Sequence, residues 1–299
     1  MSAQQVRRRR LVRTGEVAAF VLPTVLPFAV MVFVPILWTL ALGLTDERAT
    51  RPVTSFVGLE NYLFLLTNQQ FLHTLSNTVI LTVIVVVVTN VLGLAIALLI
   101  RAQGWFYNLA RSVFFTPMIL SAVVVSVIWR SLLLDDGLVN SVLRGFGVTQ
   151  PPGWLSDPGI ALYVVSGIMV WQLLGFATVV YLAGLAGIPV ELEEAASLDG
   201  AGPVARFRTI TWPLLAPSFT IITVMLLISA FKVYDQIAVL TNGGPGTDGT
   251  ATIAFAVVRT AFSEQRPGMA SAMAGIMLVV VAMATVLTLR FLQRREVTY

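Results

Sequence analysis

Few side chains in this 299-residue chain can do covalent chemistry: there is no cysteine, one histidine (His73) and one lysine (Lys232). Cysteine nucleophiles, disulfides, iron–sulfur clusters and thiolate zinc sites are therefore excluded. A metal held by two or more histidines of this chain is excluded too. Lys232 is followed by Val233, so no phosphate-binding loop of the form G-x-x-x-x-G-K-S/T exists. If ATP drives this protein, another subunit binds the nucleotide and its Mg ion, and no cofactor is expected in this chain. Asp135 and Asp136 imitate an acid–base pair, but adjacent carboxylates in a polar loop read as solvated. His73 reads as a loop residue on the outer side.

Two groups remain that could act on a ligand without reacting with it. Lys232 and Asp235 stand three apart, on one face if the segment is helical, and Tyr234 lies between them. Charges within membrane segments mark polar pathways by default. They also form local ion pairs, with the lysine reaching to water, and both readings stay open. Trp171 and Gln172 lie midway along a long apolar run. An aromatic face beside an amide suits a sugar. A packed Trp and a Gln bonded to a neighbouring helix form the competing reading. Trp38, Trp105 and Trp154 read as anchors at the membrane interface.

The elements that must position these residues are membrane helices. Hydrophobic residues make up 57% of the chain and charged residues only 11%, and the mean hydropathy is +0.86. A soluble domain carries about 25% charge, so this chain cannot cover itself with a wetted surface. Charge-free intervals occupy residues 17–45, 61–100, 112–129, 158–190, 209–231 and 267–289. Each accommodates one span of roughly 20 residues. In the second, the polar residues between Thr67 and Asn77 push the span towards 78–100. Runs such as the valines from Val83 to Val88 do not alternate, which excludes barrel strands. The expectation is an all-α polytopic protein of six transmembrane helices. A basic tail covers 1–16, the transmembrane domain 17–292, and a short tail 293–299.

Six spans put both termini on one side of the membrane. Twelve arginines fall on the side of the termini and six on the other. The positive-inside rule then makes both termini cytoplasmic. The run Arg7 to Arg10 reads as an orientation signal and an anchor for anionic membrane lipid rather than a nucleic-acid arm. The net charge of +4 thus implies no nucleic-acid partner. Outer loops carry the turn signals Arg51-Pro52, Pro151-Pro152-Gly153 and Asn242-Gly243-Gly244-Pro245-Gly246. The last requires positive φ or open sterics.

The cytoplasmic loop 188–213 has the most internal design. Pro189 suits the first position of a helix, with Glu191, Glu193 and Glu194 at its positive end. Gly200 is placed to stop that helix in the left-handed region. Pro203 starts a second helix, with Val204, Phe207, Ile210 and Thr211 expected on one face, and Pro213 opens the next span. Composition alone is equally served by an interfacial hairpin that only links two spans.

The order of residues in this loop is more specific than its composition. Glu194-Ala195-Ala196, three residues, Gly200, nine residues, Ile210, one residue, then Trp212-Pro213 resembles the EAA loop of ABC-importer permeases. The family pattern has Leu where this chain has Trp212. Three further blocks resemble the sugar-permease branch of that family, typified by maltose and glycerol-3-phosphate importers. They are Phe56-Val57-Gly58-Leu59-Glu60-Asn61-Tyr62, then Gly137-Leu138-Val139-Asn140 with Trp154-Leu155-Ser156-Asp157-Pro158, and Tyr234-Asp235-Gln236-Ile237 with Leu240-Thr241-Asn242-Gly243-Gly244-Pro245.

The resemblance implies a non-catalytic permease subunit in a bacterial inner membrane, forming half of a sugar pathway. It implies four further kinds of partner: a second homologous permease, two ATP-binding subunits, an extracytoplasmic sugar-binding protein and the sugar itself. Glu194, Ala195, Ala196, Asp199, Gly200 and Ala201 would dock the ATPase, and Trp171, Gln172, Lys232, Tyr234 and Asp235 would line the substrate path. The alternative is a stand-alone ion-coupled secondary transporter. That would need intramembrane carboxylates or unwound Gly/Pro segments, and Asp235 is the one carboxylate available.

Overall fold

The computed structural model describes residues 3–50, 54–102 and 104–294, and for residues 3–19 the backbone alone. The Arg51-Pro52 turn, Arg295 and the side chains of Arg7 to Arg10 lie outside what is described. Among the described residues the regular structure is helical, with one isolated β-bridge between Thr45 and Phe56.

The first helix, α1 (Ala3–Leu42), is followed by α2 (Glu60–Thr67), α3 (Gln69–Leu99), α4 (Trp105–Ile119), α5 (Ala122–Leu133), α6 (Leu138–Gly145) and α7 (Ala161–Ala186). Next come α8 (Val190–Leu198), α9 (Pro203–Arg206), a π-turn (Phe207–Thr211), α10 (Trp212–Leu214) and α11 (Ala216–Phe231). The chain ends in α12 (Asp235–Leu240), α13 (Ile253–Val258), a second π-turn (Arg259–Ser263) and α14 (Pro267–Gln293). Among the described residues, four helical segments are long and apolar enough to cross a membrane: Phe20–Leu42 of α1, α3, α7 and α14. Two bent pairs, Trp105–Ile119 with Ala122–Gly145 and Pro203–Leu214 with Ala216–Phe231, bring the number to six if each pair is one span. The expected all-α polytopic architecture is the one observed.

Three expectations about the spans need correction. The second span is not confined to 78–100. Its helix begins at Gln69, capped by Asn68, whose side chain accepts from the Phe71 amide at 2.9 Å. His73 is therefore a helical residue rather than a loop residue. The polar residues survive in the helix because they bond along it. The Thr74, Thr78 and Thr82 hydroxyls each donate to the carbonyl four residues back.

The third span is bent by 99°. Leu120 is extended and the Ser121 hydroxyl caps α5 by accepting from Val124 N at 3.3 Å. In the fifth, Pro213 does not open the span helix. A 63° bend at Leu215 separates α10 from α11. Pro217 lies at the start of α11, where its ring cannot follow a helical residue 213.

The core lies where α3, α7, α11 and α12 meet, around Leu81, Val85, Val165, Tyr181, Ile222 and Ile237. Small residues let these helices approach. A Cβ on Gly175 would lie 2.3 Å from the Phe114 carbonyl oxygen of α4, and one on Gly93 would lie 2.8 Å from Ala177 Cβ. The apolar part of α1, by contrast, is not buried within this chain.

Candidate functional sites in the capped hairpin and the cleft at the broken spans

The hairpin of residues 188–213 is built by its glycine and proline positions. Pro189 precedes the first helical residue rather than occupying it, and α8 starts at Val190. Glu191 and Glu193 occupy the first turn, where the helix dipole favours them. At the other end Gly200 has φ +78°. The Ala201 amide donates to Ala196 O at 2.9 Å and the Gly200 amide to Ser197 O at 3.1 Å. This pair of bonds is a Schellman cap, which needs its left-handed residue at that position. No atom lies within 4 Å of a Cβ built on Gly200, so the requirement is conformational and not steric.

None of the nine residues of α8 is buried, so Glu194, Ala195 and Ala196 are presented on an open surface, and Asp199, Gly200 and Ala201 follow at its end. Leu198 is 90% exposed at the tip, an apolar side chain left uncovered by the described residues. The expected common face of the second helix does not form. The π-turn inserts a residue into the helical register, leaving Val204 exposed while Thr211 is buried. Trp212 packs between Phe207 and Phe219, with ring centroids 6.3 and 5.4 Å away.

The candidate ligand-path groups converge where two spans are broken. Helix α11 ends at Phe231, and Lys232 and Val233 are non-helical before α12 starts at Asp235. Lys232 and Asp235 therefore do not share a helical face, and no ion pair joins them among the described residues. Both line a cleft of about 370 Å³ with Gln172, Tyr234, Gln236, Ser229 and the start of α5.

Gln172 donates to Leu120 O at 3.0 Å, the carbonyl freed by the break in the third span. It also accepts from Gln236 Nε2 at 3.0 Å. A backbone group released from a helix at membrane depth needs such a partner. Thr252 performs the same service for the second break, donating to Val233 O at 2.8 Å. Trp171 is not part of the cleft wall; it packs edge-on against Trp129 at 5.5 Å. Four of the five sequence candidates are thus brought together and one is set aside.

Sequence reasoning missed several participants. Gln236 stood beside Asp235, within a quoted block, and its polarity was signal enough. Asn90 of α3 accepts from the Tyr181 hydroxyl at 2.6 Å and donates to Thr223 Oγ1 at 3.3 Å, tying α3, α7 and α11. The loop after α12 is secured by Asp248, 5% exposed, which accepts from Arg259 and from Gln70 of α3. Asn77 donates to Asp248 O at 2.9 Å. The Arg259 hydrogen bond holds the Asp248 carboxyl below the usual carboxylate range, against the opposing effect of burial. In the same loop Asn242, Gly243 and Gly246 all have positive φ, as the turn signal requires. Trp154 is more than an interface anchor, because its indole donates to Asn140 at 2.8 Å.

A bundle of interrupted membrane helices, with a polar cleft at the breaks and an exposed capped hairpin on the opposite face, defines a transport permease domain. Residues 89–297 match the family of binding-protein-dependent transport system inner membrane components, and the chain belongs to that family. Relatives include the probable starch degradation products transport system permease AmyD of Thermoanaerobacterium thermosulfurigenes. It is 30% identical over 93% of this chain and 94% of its own length. The diacetylchitobiose uptake permease NgcF of Streptomyces coelicolor is 34% identical over 93% of this chain and 82% of its own. For the trehalose/maltose permease MalF of Thermococcus litoralis the identity is 33%, over 79% and 80%. Among solved structures, a bacterial ABC transporter that imports the acidic polysaccharide alginate matches with a TM-score of 0.82, covering 96% of this chain and 98% of that one. Its identity is 22%, so that likeness speaks for the fold.

Proposed function

We propose that this chain is the permease subunit of an ATP-driven sugar importer in a bacterial inner membrane, with both termini and the 188–213 hairpin in the cytoplasm. One observation carries the reading: the Schellman-capped hairpin presents Glu194, Ala195, Ala196 and an exposed Leu198 on a helix with no buried residue among the described ones. An open helix on a discrete cap is suited to insertion into an ATPase subunit. The carbohydrate assignment rests on the relatives named for starch products, diacetylchitobiose and trehalose/maltose. The exposed apolar flank of α1 leaves a face for lipid and for a second, homologous permease. An extracytoplasmic binding protein delivers sugar to the outer loops, and two partner subunits bind ATP and Mg²⁺.

The cleft at Gln172, Lys232, Tyr234 and Asp235 is this chain's share of the pathway, combining a tyrosine ring, an amide and charged donors and acceptors. The chain contributes no chemistry; it moves. A stand-alone ion-coupled transporter has only Asp235 as an intramembrane carboxylate, and the family membership favours the importer. The test is affinity purification of the tagged chain from its native membrane. The expected co-purifying proteins are a second permease, an ATPase with a phosphate-binding loop and a binding protein that retains an oligosaccharide from a maltodextrin and chito-oligosaccharide panel. Purification of the chain without any ATPase subunit overturns the reading.

A further inference from the structure

The open surface that suits α8 to docking also raises the question of what fixes its orientation. With no buried residue, α8 is not held by hydrophobic packing. Among the described residues a single ion pair joins it to another element: Arg101 Nη2 meets Glu193 Oε2 at 2.8 Å, with Nη1 to Oε1 at 3.4 Å. A two-pronged guanidinium–carboxylate contact fixes direction as well as distance. Arg101 is not a loose surface residue. It follows the end of α3, and Arg111 of α4 donates to the carbonyls of Ile100, Arg101 and Ala102 at 3.0, 3.4 and 3.1 Å. The backbone carrying Arg101 is thus clamped to α4. Beneath the pair lies a cleft of about 530 Å³, so electrostatics and not packing bridges the gap. At its other end α3 is bonded to the outer loop through Gln70 and Asn77, and midway to α11 through Asn90.

We propose that Arg101 and Glu193 are positioning residues that tie the docking helix α8 to the end of α3 and pass its displacement to the membrane helices. This rests on α8 being the ATPase-docking helix. The pair is half-exposed, so its direct contribution to stability is small. Its value is as the mechanical link between α8, which no buried residue anchors, and the end of the core helix α3. Residue Glu193 thus acts through Arg101 and touches neither nucleotide nor substrate.

The experiment uses the assembled complex with a reporter cysteine, Ser229→Cys, in the outer cleft on α11, which this cysteine-free chain allows. The reporter's maleimide labelling rate is measured with and without Mg-ATP and vanadate. In the otherwise unaltered chain, vanadate trapping should change the rate by at least about fivefold, the low end for coupling between sites. Arg101→Glu alone and Glu193→Lys alone should each abolish that response with membrane abundance unchanged. The combined Arg101→Glu/Glu193→Lys chain should recover it. Single variants that keep the response, a double variant no better than the singles, or a parent that ignores vanadate each overturn the proposal. The docking reading is judged separately by Ala195→Cys, which should be shielded from maleimide by the ATPase subunits. Shielding together with unaffected single variants rejects the tie alone, whereas unshielded Ala195→Cys rejects docking and the tie with it.

Discussion

At residue scale, two positions are committed to roles their neighbours cannot take over. Gly200 has φ +78° in free space, so its replacement acts through the backbone. A left-handed residue with a side chain costs roughly 1–2 kcal/mol, and a β-branched one more. Gly200→Val should leave membrane abundance intact, because the hairpin lies apart from the membrane core, while substrate-stimulated ATP hydrolysis by the assembled complex falls. Gly200→Asn, which tolerates that conformation, should retain it. Wild-type stimulation in the valine variant would reduce the hairpin to a linker.

Asp248 is the second position. Its carboxyl, hydrogen-bonded by Arg259, is held below the usual range, so the folded state binds fewer protons than the unfolded chain. The stability it contributes is present above the ordinary carboxylate pKa of about 4 and is lost as pH falls below that. Asp248→Asn should lower the melting temperature in detergent at neutral pH, by an amount equivalent to roughly 1.5–3 kcal/mol. It should also flatten the acid limb of the stability profile. An unchanged acid limb would show that another group governs it.

At the scale of elements, the breaks build the cleft, and they are what the sequence conceals. Composition located the apolar intervals because hydropathy is a sum over residues. The break at Leu120 and Ser121 depends on a distant partner, Gln172, which accepts the task of satisfying a freed carbonyl. Such non-local compensation leaves no periodic mark. The same holds at Lys232, where a presumed continuous helix put two charges on one face and the observed interruption turns both into a cleft. The hairpin was more legible because caps are local: Gly200 and Pro203 act on their immediate neighbours. Even there the π-turn at Phe207–Thr211 escaped.

The element-level prediction concerns Gln172. Gln172→Leu removes the donor to Leu120 O and the acceptor for Gln236 within a low-dielectric site. Thermal stability should drop by an amount equivalent to roughly 1–3 kcal/mol, read from melting of the purified protein. A neutral result would mean that the break is held by packing of α5 against α12 instead.

For the whole molecule, the arginine asymmetry predicts one orientation, with both termini and the capped hairpin on the cytoplasmic side. The Gly145→Cys substitution adds a side chain where nothing lies within 4 Å, so the fold should accept it. An impermeant maleimide should label it from the outside of intact cells, and labelling only after permeabilisation would invert the topology. Family membership and four ordered sequence blocks then leave the energy source as the decisive question, since the chain has no phosphate loop of its own. The measurement is oligosaccharide uptake into sealed proteoliposomes, comparing the assembled complex, with ATP inside and binding protein outside, against this chain alone under a proton or sodium gradient. The account predicts accumulation that requires ATP and the binding protein and is indifferent to ionophores. Gradient-driven uptake by the single chain without ATP would contradict it.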